Sequence, residues 1–123
     1  MEAQFLEATL TIDLKKNRFR VNRRILIAIG TPKYILMMVD PKAMTIAVVG
    51  SDKPGKQTYM QAATLWMKDR SRSVEVYSKA LVRDIRKLMP DMKLTESYHL
   101  RGRILPEERI AEFYLQSAER VDV

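Results

Sequence analysis

Short segments in which apolar and polar residues alternate constrain this chain most, because a period of two indicates a half-buried β-strand. Residues 5–14 alternate in this way, which predicts a strand. Residues 18–21 alternate again, so a strand there sends Phe19 and Val21 to the core and both arginines to the other face, which is then cationic. The apolar parity of the first segment consists of Leu6, Ala8, Leu10, Ile12 and Leu14.

A short helix is predicted directly after the second strand. Asn22 is a good N-cap, and the apolar residues that follow it lead into Gly30, a residue that commonly ends a helix. These signals predict a helix over residues 23–29. Because Leu26 and Ile27 make it apolar nearly all round, we expect this helix to be buried.

A second strand and helix follow in the other half of the chain. Residues 74–77 alternate as a strand does, and Ser78 then caps an amphipathic helix over residues 79–89. Pro90 ends it, since proline cannot continue a helix. Its apolar stripe consists of Leu81, Val82, Ile85, Leu88 and Met89.

Two β-hairpins are predicted, one after each helix. Residues 34–39 and 44–49 are apolar runs joined by an Asp-Pro turn. Residues 97–104 and 109–116 form the second pair, around a Leu-Pro-Glu-Glu turn. Residues 58–69 fit a strand or a helix about equally well.

The order of strand, capped helix, proline stop and hairpin occurs twice. A shift of 56 positions places Asn22 over Ser78 and aligns the neighbouring apolar residues. This predicts an α+β fold in which two pseudo-repeated units, residues 15–50 and 72–117, form a compact β-rich barrel or sheet with two helices. Chance similarity stays an alternative, because such an order is common. We expect one domain over residues 1–123.

The composition is that of a domain with its own core. The chain has 123 residues, is 46% hydrophobic and contains no cysteine, so it needs neither disulfides nor thiolate metal sites to fold. Neither a signal peptide nor a membrane-spanning apolar run is visible, so we expect no membrane association and a cytoplasmic location.

Positive charge is concentrated in the first part of the chain. The formal net charge is +7, and residues 1–73 account for all of it, with 13 Lys and Arg against 6 Asp and Glu. Within that part, residues 15–24 contain six basic residues and no acid. A cationic segment of this density favours an anionic partner.

Residues 17–49 open a strand with Arg18, continue into a helix that closes before a glycine, and end in a hairpin. This order resembles the swapped-hairpin DNA-binding domains of the AbrB/MraZ type, with a second copy at about 74–116. The resemblance implies an intertwined barrel that grips DNA with arginines near the strand and helix start. Asn17 and Asn22 stand where the family has glycine and proline, so of the DNA-contacting residues only Arg18 carries over directly. The matching positions are Arg18, Val21, Ile25, Ile29 and Gly30.

We therefore expect a protein that binds double-stranded DNA, such as a transcriptional regulator, by contacts between cations and phosphates. A basic face for an acidic protein partner is the alternative, and charges that protect a sheet edge are a third explanation. Whether the protein forms a homodimer stays an open alternative. The first-ranked candidates are Lys15, Lys16, Arg18, Arg20, Arg23 and Arg24, and the second-ranked are Arg70, Arg72 and Lys79.

Enzymatic chemistry has little support in the sequence. Residues 50–56 match the phosphate loop G-x-x-x-x-G-K, but Gln57 replaces the hydroxyl residue that holds magnesium and Pro54 removes a backbone donor. His99 is the only histidine, so no histidine-based metal cluster or triad can form, and we interpret it as structural. We expect no cofactor, no metal and no catalytic residue, and a site built from other residue types is the weakest alternative.

Overall fold

The computed structural model describes residues 6–53, 58–60 and 73–121, which contain nine strands and two α-helices. The strands are β1 (Leu6–Asp13), β2 (Arg18–Val21), β3 (Tyr34–Asp40), β4 (Thr45–Ser51), β5 (Thr58–Met60), β6 (Val74–Tyr77), β7 (Ser97–Leu105), β8 (Ile110–Tyr114) and β9 (Glu119–Arg120). The helices are α1 (Arg23–Ala28) and α2 (Lys79–Leu88). Two single 3₁₀ turns flank β8, at Pro106–Glu108 and Leu115–Ser117.

The described strands form one antiparallel sheet that curls into a half-barrel, and seven of them have four or more residues. The strand order is β5-β3-β4-β8-β7-β1-β2-β6, and the short β9 pairs with β7. Three hairpins, β1–β2, β3–β4 and β7–β8, are joined by pairings between distant parts of the chain: β1 with β7, β2 with β6, and β4 with β8. The predicted α+β class is confirmed.

One face of the sheet and the apolar sides of both helices form a single core. Leu10 and Ile12 in β1 are fully buried, as are Phe19 and Val21 in β2, so the alternation in both segments is confirmed. Each such side chain contributes about 1.5–3 kcal/mol by leaving water. The other parity of β2, which carries the two arginines, faces outward.

Both helices begin at the predicted caps. The Asn22 side chain accepts a hydrogen bond from the backbone N–H of Ile25 at 3.0 Å, and the Ser78 hydroxyl accepts one from Leu81 at 3.1 Å. Each helix is one residue shorter than predicted, because its last expected residue is the C-cap. The expectation that α1 is buried all round is wrong, since the Ile27 side chain is 48% exposed.

The two predicted hairpins are present with adjusted ends. In the β3–β4 turn, Asp40 Oδ1 accepts hydrogen bonds from the backbone of Lys42 and Ala43, which explains the Asp-Pro signal. β8 is shorter than the predicted 109–116, because Arg109 has left-handed backbone with φ 58° and the chain leaves β8 through a 3₁₀ turn.

Part of the connection between the halves can be compared with the sequence predictions. The expected polar loop over residues 50–57 begins later, since β4 extends to Ser51, and residues 54–57 lie outside the described residues. The segment that fitted a strand or a helix contains the strand β5 at its start. The rest of it, residues 61–69, also lies outside the described residues.

The guanidinium of Arg109 joins three parts of the chain. Its Nε donates to the carbonyl oxygen of Ile29 at 3.0 Å, and its Nη2 donates to the carbonyl of Gly30 at 3.3 Å, at the end of α1. Nη1 and Nη2 also bond the Asp52 carboxylate, at 3.0 and 3.2 Å. These hydrogen bonds hold the pKa of Asp52 below its ordinary value of 3.8. Arg109 therefore closes the C-terminal end of α1 from 80 residues away.

Candidate nucleic-acid interface

The centre of the predicted interface is the β2–β6 ribbon, which consists of residues Arg18–Val21 and Val74–Tyr77. Arg18 lies opposite Tyr77, and Val21 lies opposite Val74. Because the strands are antiparallel, α1 begins at one end of the ribbon and α2 at the other. At about 3.4 Å per residue, the two ends are roughly 10 Å apart.

The arginines of β2 are neutralised by neighbouring strands. Arg18 lies 3.3 Å from Asp13 of β1 and 3.0 Å from Glu75 of β6, and Arg20 lies 3.6 Å from the same Glu75 oxygen. Residues 15–24 contain no acid, which suggests that all six cations are unpaired. That interpretation is wrong for Arg18 and Arg20. Their partners come from β1 and β6, and the β6 partner follows only from the strand pairing. The charges of Arg18 and Arg20 are therefore partly compensated within the sheet.

The α1 surface lies at one end of the ribbon and consists of Arg23, Arg24, Ile27 and Ala28, which line a hollow of about 510 Å³. Both arginines are exposed and occupy the first turn of the helix, which contains no acidic residue. The N-cap Asn22 holds this turn, and its side-chain amide also donates to the carbonyl of Thr9 in β1 at 3.4 Å.

The other end of the ribbon brings the β1–β2 turn beside the start of α2. The backbone N–H of Ser78 donates to the carbonyl of Asn17 at 2.9 Å, which fixes the turn against the helix. Lys15 and Lys16 are exposed in this turn, and Lys79 is exposed at the first position of the helix. The structure thus places the second-ranked Lys79 near these two first-ranked lysines, and places Arg23 and Arg24 at the opposite end.

A cationic groove runs along α2, with a volume of about 500 Å³. Sequence reasoning missed it, because Asp84 lies among Arg83, Arg86 and Lys87 and an acid in that position suggests local pairing. Among the described residues, Asp84 forms an ion pair with Arg83 alone, at 3.6 Å. The missed signal was their spacing of three or four residues, which places side chains on one helix face. The lining residues of this α2 groove are Asn17, Lys79, Val82, Arg83, Arg86, Lys87 and Leu94.

Four further sequence expectations can be compared with the structure. Arg70 and Arg72 lie outside the described residues. His99 lies on β7 with an exposed side chain, opposite Thr11 of β1. Within the described ranges, no group of three or more His, Cys, Asp or Glu side chains could hold a metal ion. Neither described helix has the length and apolar character needed to cross a bilayer.

No protein-family model matches this sequence, and no similar curated protein or solved structure is found. The functional argument therefore depends on the residues and their geometry.

Proposed function

We propose that this protein binds double-stranded DNA through the basic residues at the start of α1 and in the β1–β2 turn, as a transcriptional regulator does. The observation that carries the proposal is the pair Arg23 and Arg24, exposed side by side in the first turn of α1 with no acidic residue in that turn. Lys15 and Lys16 add two exposed cations at the far end of the ribbon. Cations of this kind contact phosphates without regard to sequence.

Helix stability does not account for Arg23 and Arg24. The first turn of a helix carries partial positive charge, so a cation there costs about 0.3–1 kcal/mol relative to a neutral residue.

The pairing register supports the proposal that the two halves are copies of one unit, as the AbrB/MraZ resemblance implies. With a shift of 56, β2 corresponds to β6, and their pairing is symmetric: Arg18 opposite Tyr77 and Val21 opposite Val74 exchange under the shift. Two copies related by a dyad would pair equivalent strands in this way.

Fluorescence anisotropy with duplexes of roughly 30 base pairs, titrated at several salt concentrations, tests DNA binding. We expect binding that weakens steeply with salt. The variant with Arg23→Gln and Arg24→Gln should lower the slope of log K against log salt by about 0.9 for each lost phosphate contact. Its control, Lys42→Gln with Lys53→Gln, removes the same charge from the β3–β4 turn and the end of β4, and should leave the slope unchanged.

Absence of binding at about 50 mM salt would overturn the proposal, because electrostatic association is strong under that condition. An equal loss in the variant and its control would show that net charge, and not the α1 surface, governs binding.

One observation favours the alternative of an acidic protein partner. Ile27 is 48% exposed in the same hollow as Arg23 and Arg24, and apolar contact is more useful against a protein than against phosphates. The change Ile27→Ser should leave duplex binding intact if DNA is the partner. Displacement of labelled duplex by polyglutamate as effectively as by unlabelled duplex would favour the acidic protein.

A further inference from the structure

The α2 groove contains more positive charge than the predicted site on α1. Lys79, Arg83, Arg86 and Lys87 line it, and the only acid on this helix is Asp84. We propose that the α2 groove is a second phosphate-binding surface for duplex DNA, separate from the α1 surface. This proposal rests on the proposed function and adds Arg83, Arg86 and Lys87 to the residues that contact the backbone.

The spacing of the four cations matches a phosphate backbone. Arg83 is four residues from Lys79, three from Arg86 and four from Lys87, so all three lie near Arg83 on one helix face. At 1.5 Å per residue, the distance from Lys79 to Lys87 along the axis is roughly 12 Å. One strand of a duplex presents a phosphate about every 3.4 Å along its axis, so three to four phosphates lie within that length.

Three of these cations, Lys79, Arg83 and Lys87, are exposed to solvent. Arg83 forms an ion pair with Asp84 in which both side chains are largely exposed, at 66% and 47%. An exposed pair of this kind is worth only about 0–1 kcal/mol and is easily exchanged for another anion. Among the described residues, Lys79, Arg86 and Lys87 have no ion-pair partner within 4.0 Å.

Stability explains only half of this arrangement. Arg86 and Lys87 lie in the last turn of α2, where cations complement the helix dipole. Lys79 lies in the first turn, where a cation is unfavourable, and that turn contains no acid. Lys79 and Arg83 are also like charges four residues apart, which destabilises a helix by about 0.2–0.5 kcal/mol.

The groove and the α1 surface begin at opposite ends of one ribbon. α1 starts after β2 and α2 starts after β6, and the two ends of the β2–β6 ribbon are roughly 10 Å apart. The combined variant described below tests whether both surfaces contact the same duplex.

The test compares two variants of equal charge. The first contains Lys79→Gln, Arg83→Gln and Lys87→Gln, and retains the part-buried Arg86; glutamine keeps helix propensity similar. The control contains Lys33→Gln, Lys42→Gln and Lys53→Gln, which are exposed residues that do not line the α2 groove. We expect the first variant to lower the salt slope by about 0.9 for each lost contact and the control to leave it unchanged. The Arg23 and Arg24 changes should lower it further when combined.

An unchanged slope in the α2 variant, with a wild type that binds duplex, would overturn this proposal and leave the proposed function standing. A wild type that binds no duplex would overturn both. A second measurement does not depend on the variant: amide chemical-shift changes in the wild-type protein on addition of a duplex of roughly 12 base pairs. Changes confined to residues near α1, with none over residues 79–88, would also overturn the proposal.

Discussion

The two helices begin alike and end differently. Each follows a short strand, starts at a side-chain cap, and carries a cation in a first turn that has no acid. α2 continues for ten residues and ends with Arg86 and Lys87, which complement its dipole from within the helix. α1 has six residues and no basic residue in its last turn, and its terminal carbonyls are bonded by Arg109 of the β7–β8 turn.

The two helices therefore differ in what stabilises them: α2 depends on residues within its own sequence, and α1 depends on contacts from distant residues. A helix of six residues is far too short to be stable alone in water, so α1 requires contacts from elsewhere in the chain. α2 has a cap, an apolar stripe and a complementary last turn in its own sequence. We therefore expect α1 to respond to changes in the β7–β8 turn and α2 to respond to changes in its own residues.

The largest effect is expected from Arg109→Ala. The change removes the donors to the carbonyl oxygens of Ile29 and Gly30 at the end of α1, so it should lower the free energy of unfolding by about 2 kcal/mol. Urea denaturation measures this loss. The matched control is Arg83→Ala on α2, which should cost less than about 1 kcal/mol because its only ion pair is exposed. Equal losses in the two variants would contradict the comparison.

The next effect tests the shared feature, the two caps. Asn22→Ala and Ser78→Ala each remove one hydrogen bond to an N–H of the first turn, and each should cost about 1 kcal/mol in urea denaturation. Asn22→Asp and Ser78→Thr keep an acceptor and should recover most of the loss. If Ser78→Ala were neutral while Asn22→Ala was costly, the two helix starts would not be equivalent.

The smallest effect is the pH dependence of the Arg109 contact. The pKa of Asp52 is lower in the folded protein, so its contribution is present above the ordinary value of 3.8 and is lost as pH falls through the folded value. The urea midpoint of Asp52→Asn should therefore lie below that of the wild type at pH 7. The two midpoints should converge below both pKa values, and a difference that persists there would show that the ion pair is not its source.

Local signals in the sequence predicted the elements themselves. The alternation around Phe19 and Val21 fixed the orientation of β2, and the caps Asn22 and Ser78 fixed both helix starts, because each depends on residues within one turn or one strand. The ends were less predictable. The left-handed backbone of Arg109 shortens β8. Arginine has no preference for that conformation, so the residue type does not predict it.

The charges of the site depended on pairing that local patterns do not contain. Glu75 neutralises Arg18 and Arg20 only because β6 lies beside β2, and these strands are far apart in the sequence. The α2 groove was within reach of sequence reasoning, since its cations share one helix face. The groove was missed because Asp84 was expected to pair with all three neighbouring cations. Among the described residues, Asp84 forms an ion pair only with Arg83.

The pairing of β1 with β7 has a consequence for how the chain reaches this fold. Leu10 lies opposite Leu100, and the sheet is continuous only after this contact has formed. The long chain segment between these two residues must close before their pairing contributes to stability. We therefore expect folding on the millisecond-to-second scale that is typical of sheets with distant partners. During synthesis β1 and β2 emerge early and have no β7 to pair with. The edge of β1 that pairs with β7 is therefore exposed during synthesis until β7 has been made.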